Sequence, residues 1–123
     1  MPYPRWLARI NRALFNPRQV KTGKYPVVTH VGRSSGTVYR TPLDAHPTQG
    51  GYVLVVRYGP ESDWVRNILF SGSATLRIGE AEYRLTAPRL VSPAEATGQL
   101  APGSDPGADF YKAEDYLLMD HAS

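Results

Sequence analysis

The segment that most restricts the fold is Tyr52–Tyr58, which reads Tyr-Val-Leu-Val-Val-Arg-Tyr. Its four successive aliphatic residues predict a strand buried on both faces, because an exposed face would carry polar residues at alternate positions. Such a strand belongs in the wall of a barrel or at the centre of a sheet. Turn signals bound it on both sides, Gly50-Gly51 before it and Gly59-Pro60 after it.

Turn signals also divide the rest of the chain into short elements. Further strands are predicted over Tyr25–Val31, Val38–Leu43, Ser73–Ile78 and Ala81–Thr86, with an edge strand or a docked C-terminus over Tyr116–Met119. Helices are predicted over residues 5–15, over Asp63–Phe70 with Ser62 as the cap, and from Ser92-Pro93 onward. Five or six short strands close most economically into a barrel, because closure removes sheet edges. We therefore expect one domain, residues 1–123, of the mainly β class: an antiparallel barrel of about six strands over residues 24–120, flanked by three short helices.

Composition excludes several kinds of site. The 123 residues include no cysteine, so disulfides, thiolate metal sites and cysteine nucleophiles are ruled out. His30, His46 and His121 match no metal-ligand spacing, so no metal is expected. No apolar run approaches the roughly 20 residues that span a bilayer, and no signal peptide is readable. A cytoplasmic location is the expectation.

The first 24 residues carry a concentrated positive charge. They contain Arg5, Arg9, Arg12, Arg18, Lys21 and Lys24 and no acidic residue. A basic helix within residues 1–16 attracts polyanions, so it would clamp an acidic ligand tail or rest on anionic lipid at the inner face of the cell membrane. A merely solvated helix explains the pattern equally well. Nucleic acid is not expected, because the strands lack interleaved basic and aromatic positions. Monomer and homodimer both remain open.

The turn Gly32-Arg33-Ser34-Ser35-Gly36 has the ingredients of an anion site. It offers backbone donors, two hydroxyls and a guanidinium. It is no Walker loop, since it lacks the Gly-Lys-Ser/Thr ending and precedes a strand. The alternative is an ordinary hairpin loop that carries an arginine.

The cluster Asp63-Trp64-Val65-Arg66-Asn67 begins a predicted helix. Its N-terminal amides favour an anionic or carbonyl-rich ligand, and Trp64 belongs either to the core or beside a planar ring. No nucleophile–base pair stands out, so hydrolase chemistry is disfavoured. A chain with so little catalytic equipment is better suited to a cofactor enzyme.

Three runs in this order, Thr29–Leu43, Tyr52–Gly59 and Asp63–Asn67, closely resemble the deazaflavin-dependent nitroreductase family. That family belongs to the split β-barrel flavin and deazaflavin oxidoreductases. The resemblance extends to Leu76–Ile78, Pro88–Val91 and Tyr116-Leu117, and so covers about residues 16–120. It implies a split barrel that binds coenzyme F-420, a deazaflavin with a phosphate and an oligoglutamate tail, with flavin mononucleotide (FMN) as the runner-up ligand.

The resemblance also implies roles for particular positions. Arg33, Ser34, Ser35 and Gly36 would hold the phosphate, and Thr41, Pro42 and Leu43 would line the approach to the ring. Val55, Val56, Arg57, Tyr58 and Gly59 would form the wall beside it. Asp63, Trp64, Arg66 and Asn67 would close the pocket from the helix.

The implied reaction is hydride transfer from the reduced coenzyme to an electron-poor acceptor such as a nitroaromatic, a quinone or an activated alkene. No catalytic residue is assigned; Tyr58 and Tyr39 are candidates for proton donation. Tyr58 stands where relatives often carry lysine, and Asp44 where a bulky residue is common. The alternatives are a noncatalytic binder of the same coenzyme and an FMN-dependent reductase.

Overall fold

A computed structural model describes residues 26–122. Its elements, in chain order, are β1 (Val27–Val31), β2 (Val38–Pro42), β3 (Ala45–Pro47), β4 (Gly51–Val56), α1 (Asp63–Ser71), β5 (Ser73–Ile78), β6 (Ala81–Val91), α2 (Pro93–Gln99), a 3-10 helix (Ala108–Lys112) and β7 (Asp115–His121). The predicted basic helix lies outside the described residues, so its two proposed uses remain predictions.

The seven strands form one sheet in the order β2-β1-β5-β6-β7-β4-β3, with every pairing antiparallel. Its two edge strands are joined through Leu43 and Asp44 alone. A flat sheet of seven strands would be about 29 Å wide, whereas each residue of chain spans at most about 3.6 Å. The sheet therefore has to curl until its edges approach each other. The predicted mainly β, barrel-like fold is confirmed.

Strand β4 is buried on both faces, as its sequence predicts. Leu54 and Val56 point into the main core inside the curled sheet. Val53 and Val55 pack on the outer face against Ala96 of α2 and against the 3-10 helix. Two separate cores on one strand explain why four aliphatic residues follow one another.

Helix α1 begins and ends close to the predicted positions, and α2 begins at the predicted Pro93. Ser92 caps α2, since its side chain accepts a hydrogen bond from Glu95 N at 3.2 Å. Ser62 occupies the N-cap position of α1 but makes no side-chain cap bond, and its hydroxyl instead donates to Gly59 O at 2.8 Å. The predicted cap position of Ser62 is therefore confirmed, although its side chain does not cap the helix. Gly72 ends α1 with a φ of 81°, in the left-handed region that glycine tolerates.

Two expectations about the strands need correction. The last strand, β7, is not at an edge, because it pairs with both β4 and β6. Its short apolar run gave no indication of having two neighbours. The three-residue strand Ala45–Pro47 was not predicted, because it is too short to show alternation. In residues 26–122, no helix is long and apolar enough to cross a bilayer.

Candidate functional site

Two adjoining cavities lie where the β1–β2 hairpin meets α1. The first has a volume of about 460 Å³, and its lining includes the predicted residues Arg33, Ser34, Ser35, Thr41, Asp63, Trp64 and Asn67. The second has a volume of about 380 Å³, and its lining includes the predicted residues Thr41, Pro42, Leu43, Val55, Arg57, Tyr58 and Trp64. Thr41 and Trp64 line both cavities and mark the junction between them. Folding thus gathers residues from three separate sequence runs.

The hairpin loop that borders the first cavity depends on its two glycines. Gly32 N donates to Thr37 O at 2.7 Å, and Gly36 N donates to Gly32 O at 2.9 Å. Gly36 has a φ of 73°, which L-residues rarely adopt. A Cβ on Gly32 would lie 2.8 Å from Ser35 Oγ. The loop therefore turns tightly and leaves the side chains of Ser34 and Ser35 exposed beside the cavity.

Arg33 joins the hairpin to α1. Asn67 Oδ1 accepts hydrogen bonds from Arg33 N at 3.1 Å and from Arg33 Nη1 at 2.7 Å. Arg33 Nη2 also pairs with Asp63 Oδ1 at 3.3 Å, although the Asp63 side chain is 85% exposed. A guanidinium has five N–H donors, so Arg33 keeps donors for an anion beyond these contacts.

His30 lies behind this loop and is 4% exposed. Its Nδ1 lies 3.2 Å from Asn67 Nδ2, and its Nε2 lies 2.9 Å from Thr41 Oγ1. The ring stacks on Tyr39, with centroids 5.7 Å apart. From the sequence, His30 was only a histidine without metal-ligand spacing, so its place in this site was not predicted. The sequence signal was that His30 stands two residues after Val28 in a strand, which puts both side chains on the same face of β1.

Burial lowers the pKa of His30 from 6.5 to about 4, although the nearby Asp63 carboxylate opposes this shift. Between pH 6.5 and 4 the unfolded chain therefore binds more protons than the folded chain, so stability falls as pH falls through this window. The loss of stability through His30 reaches about 3 kcal/mol below pH 4, at about 1.4 kcal/mol per pKa unit.

We expect His30→Gln to show a shallower decline in the free energy of unfolding between pH 7 and pH 4 than the wild type, measured by urea denaturation. His121→Gln, which removes an exposed histidine, should keep the wild-type decline. Equal declines in all three proteins would contradict the prediction.

The second cavity has an apolar wall with charged groups at one side. Pro42, Leu43 and Trp64 supply apolar surface, and the partly buried Trp64 also packs against the main core. Arg57 forms an ion pair with Asp44, which also lines this cavity, and donates to Asp109 O at 3.2 Å. Hydrogen bonding to Asp44 raises the pKa of Arg57 and keeps it cationic. This cavity suits a flat, largely apolar group with a polar edge.

The two tyrosines considered as proton donors lie at different cavities. Tyr58 lines the second cavity and is 91% exposed, whereas Tyr39 lines the first cavity and is 46% exposed. Both phenols can reach solvent. Each therefore stays a candidate, and neither is buried with the partner that a dedicated general acid would need.

Four of the positions predicted for the pocket do not line either cavity: Gly36, Val56, Gly59 and Arg66. Val56 faces the main core and is 2% exposed. Arg66 lies on the solvent side of α1. Gly36 and Gly59 shape the turns that lead into the site, with φ of 73° and 93°. Within residues 26–122, no cluster of three or more histidine or acidic side chains could hold a metal ion.

Comparisons with known proteins bear on the family and on the fold. A family model described as F-420H(2)-dependent quinone reductase matches residues 4–101. No curated protein matches the chain. Among solved structures, the chain is similar to a pyridoxamine 5′-phosphate oxidase-related, FMN binding protein from Nostoc punctiforme PCC 73102. The two share 14% identity and a TM-score of 0.52, over 97% of this chain and 81% of that one. That likeness confirms the split-barrel fold.

Proposed function

We propose that this chain binds coenzyme F-420 across the two joined cavities and reduces a small electron-poor acceptor, because it belongs to the F-420H(2)-dependent quinone reductase family. The family name supports an oxidoreductase that uses this coenzyme. The class of acceptor, a quinone, nitroaromatic or activated alkene, is our proposal.

The observation that carries this proposal is the contrast in chemistry between the two cavities. Arg33, Ser34 and Ser35 offer a guanidinium and two hydroxyls at the first, which suit the coenzyme's phosphate. Pro42 and Leu43 offer apolar surface at the second, which suits a planar deazaflavin ring. A single ligand with an anionic end and a flat aromatic end satisfies both.

One contact has to change when an anion enters the first cavity. Asp63 pairs with Arg33 at 3.3 Å and would repel a phosphate. Its side chain is 85% exposed, and exposed ion pairs contribute only about 0–1 kcal/mol. Asp63 can therefore swing into solvent at low cost, while Asn67 keeps Arg33 in position.

When bound, the coenzyme supplies a hydride in a two-electron step. The chain's own residues would position and shield it: Trp64 and Leu43 would exclude water from the ring, and Arg33 would hold the phosphate. A proton for the reduced acceptor would come from water or from the phenol of Tyr58, which lines the second cavity and is exposed to solvent.

Turnover tests the proposal. Protein mixed with reduced coenzyme F-420 and menadione is expected to reoxidise the coenzyme well above the uncatalysed rate, followed at the coenzyme's absorption band. Tight binding without turnover would instead identify a noncatalytic carrier. Tighter binding of FMN than of the coenzyme would favour a flavin enzyme.

Arg33→Ala should weaken binding of coenzyme F-420 by about 1.5–3 kcal/mol, because charge-assisted hydrogen bonds are lost. Arg89→Ala is the matched control: Arg89 pairs with Asp120 at 3.1 Å but lines neither cavity. Its dissociation constant, measured by intrinsic tryptophan fluorescence, should equal that of the wild type. If Arg33→Ala also binds normally, Arg33 does not hold the phosphate.

A further inference from the structure

A chain of hydrogen bonds runs from the hairpin loop to the junction of the cavities, and its direction can be assigned. Asn67 Oδ1 accepts from two donors of Arg33, its backbone N and its Nη1, at 3.1 and 2.7 Å. An amide nitrogen could not accept either bond, so the amide oxygen of Asn67 must face Arg33. The amide nitrogen of Asn67 then faces His30 and can only donate.

This orientation selects one tautomer of His30. Because Asn67 Nδ2 donates to His30 Nδ1 at 3.2 Å, Nδ1 carries no proton. The neutral ring therefore holds its proton on Nε2, and Nε2 donates to Thr41 Oγ1 at 2.9 Å. The ring is neutral near pH 7, since burial lowers its pKa to about 4.

The last group in this row of hydrogen bonds is the Thr41 hydroxyl. It accepts from His30, so its own hydrogen remains to be donated elsewhere. Within residues 26–122, His30 is the only partner that the Thr41 hydroxyl has. Thr41 lines both cavities, at the point where a ligand spanning them must pass.

We propose that Asn67 and His30 are positioning residues that commit the Thr41 hydroxyl to donating a hydrogen bond to the bound coenzyme. The site then selects a ligand with an acceptor atom, a carbonyl oxygen or an unprotonated nitrogen, at the junction of the cavities. The identity of the ligand in this proposal rests on the proposed function, whereas the tautomer of His30 does not depend on it.

The first test is independent of the coenzyme. Nitrogen-15 NMR of the free protein at pH 8.5 distinguishes a protonated from an unprotonated ring nitrogen, and loss of signals in His30→Gln assigns those of His30. The expected result is a proton on Nε2 and none on Nδ1. A proton on Nδ1 would overturn the proposal, whether or not the protein binds the coenzyme.

The second test measures the donated bond by titration with coenzyme F-420. Thr41→Val keeps the shape of the side chain but removes the hydroxyl, and should weaken binding about fivefold to tenfold, the value of one hydrogen bond. Thr41→Ser keeps the hydroxyl and should bind within about twofold of the wild type, because the bond is retained. Equal binding by all three proteins would show that the hydroxyl donates nothing to the ligand.

The third test reverses the direction of the hydrogen bonds between Asn67, His30 and Thr41. In Asn67→Asp the carboxylate still accepts from Arg33 but cannot donate to His30. At pH 8.5 His30 should then move its proton to Nδ1, accept from Thr41 through Nε2, and turn the threonine hydrogen away from the cavity. Adding Thr41→Val to this variant should therefore cost less than about twofold in affinity, far below its cost in the wild type. If Thr41→Val lowers the affinity equally in the wild type and in Asn67→Asp, Asn67 and His30 do not position the hydroxyl.

Discussion

Gly51→Ala is expected to lower the free energy of unfolding by more than about 3 kcal/mol, beyond the usual cost of overpacking a core. A Cβ on Gly51 would collide with the Met119 carbonyl oxygen and lie 2.8 Å from Asp120 Cα. These are backbone atoms of β7, the strand that pairs with β4 at Gly51↔Asp120. Since β7 is held by a strand on each side, it cannot move away cheaply. Urea denaturation followed by tryptophan fluorescence measures the effect.

Gly50→Ala is the matched control for this prediction. A Cβ there would meet only Asp120 Oδ1, at the ordinary contact distance of 3.8 Å. We expect a change within about 0.5 kcal/mol, as for most surface substitutions. Equal denaturation midpoints for the two alanine variants would show that the close approach at Gly51 does not limit stability.

Asn67→Leu should cost about 2–4 kcal/mol of stability and abolish high-affinity coenzyme binding. Leucine is close to asparagine in size, but it leaves the backbone N–H of Arg33 and Nδ1 of His30 without their partner. Each buried polar group left unpaired costs about 1–3 kcal/mol. Asn67 is 3% exposed, so water does not readily replace the lost bonds. Denaturation and a coenzyme titration together test both effects.

Arg66→Leu controls for placing leucine on the same helix. Arg66 is one residue away and exposed, so its replacement should change stability by less than about 0.5 kcal/mol. A folded, fully stable Asn67→Leu protein would mean that the hairpin is held to α1 by other contacts. Normal stability together with lost binding would place Asn67 in the ligand site alone.

The sequence predicted most of the elements because their signals are local. Ser92-Pro93 starts α2 at the predicted residue through the backbone preferences of neighbouring residues, and the buried strand ends at Val56, two residues before its predicted end at Tyr58. The position of β7 inside the sheet was not predictable in this way. Its pairing with β4 joins residues that are far apart in the chain, such as Gly51 and Asp120, and no local pattern encodes such a partner.

The same distinction, between local sequence signals and long-range packing, applies to the residues of the site. The residue types of the Arg33-Ser34-Ser35 turn indicate an anion site from the sequence, because guanidinium and hydroxyl groups have that chemistry wherever they lie. Val56 was included through the resemblance alone, and Arg66 also through its place at the start of the predicted helix. The fold turns the side chain of Val56 to the core and that of Arg66 to solvent. Whether a side chain faces a cavity depends on strand and helix orientation.

What the sequence determined by itself is therefore the mainly β class, the approximate positions of most strands and helices, and the chemistry of the hairpin turn. Only the tertiary structure joined Arg33, Asn67, His30 and Thr41 into one directed hydrogen-bond chain. Asn67 lies 34 residues from Arg33 and 37 from His30. Packing α1 against the β1–β2 hairpin brings them together. Burial then makes each of these bonds costly to leave unmade, and that cost depends on surroundings which a linear sequence does not display.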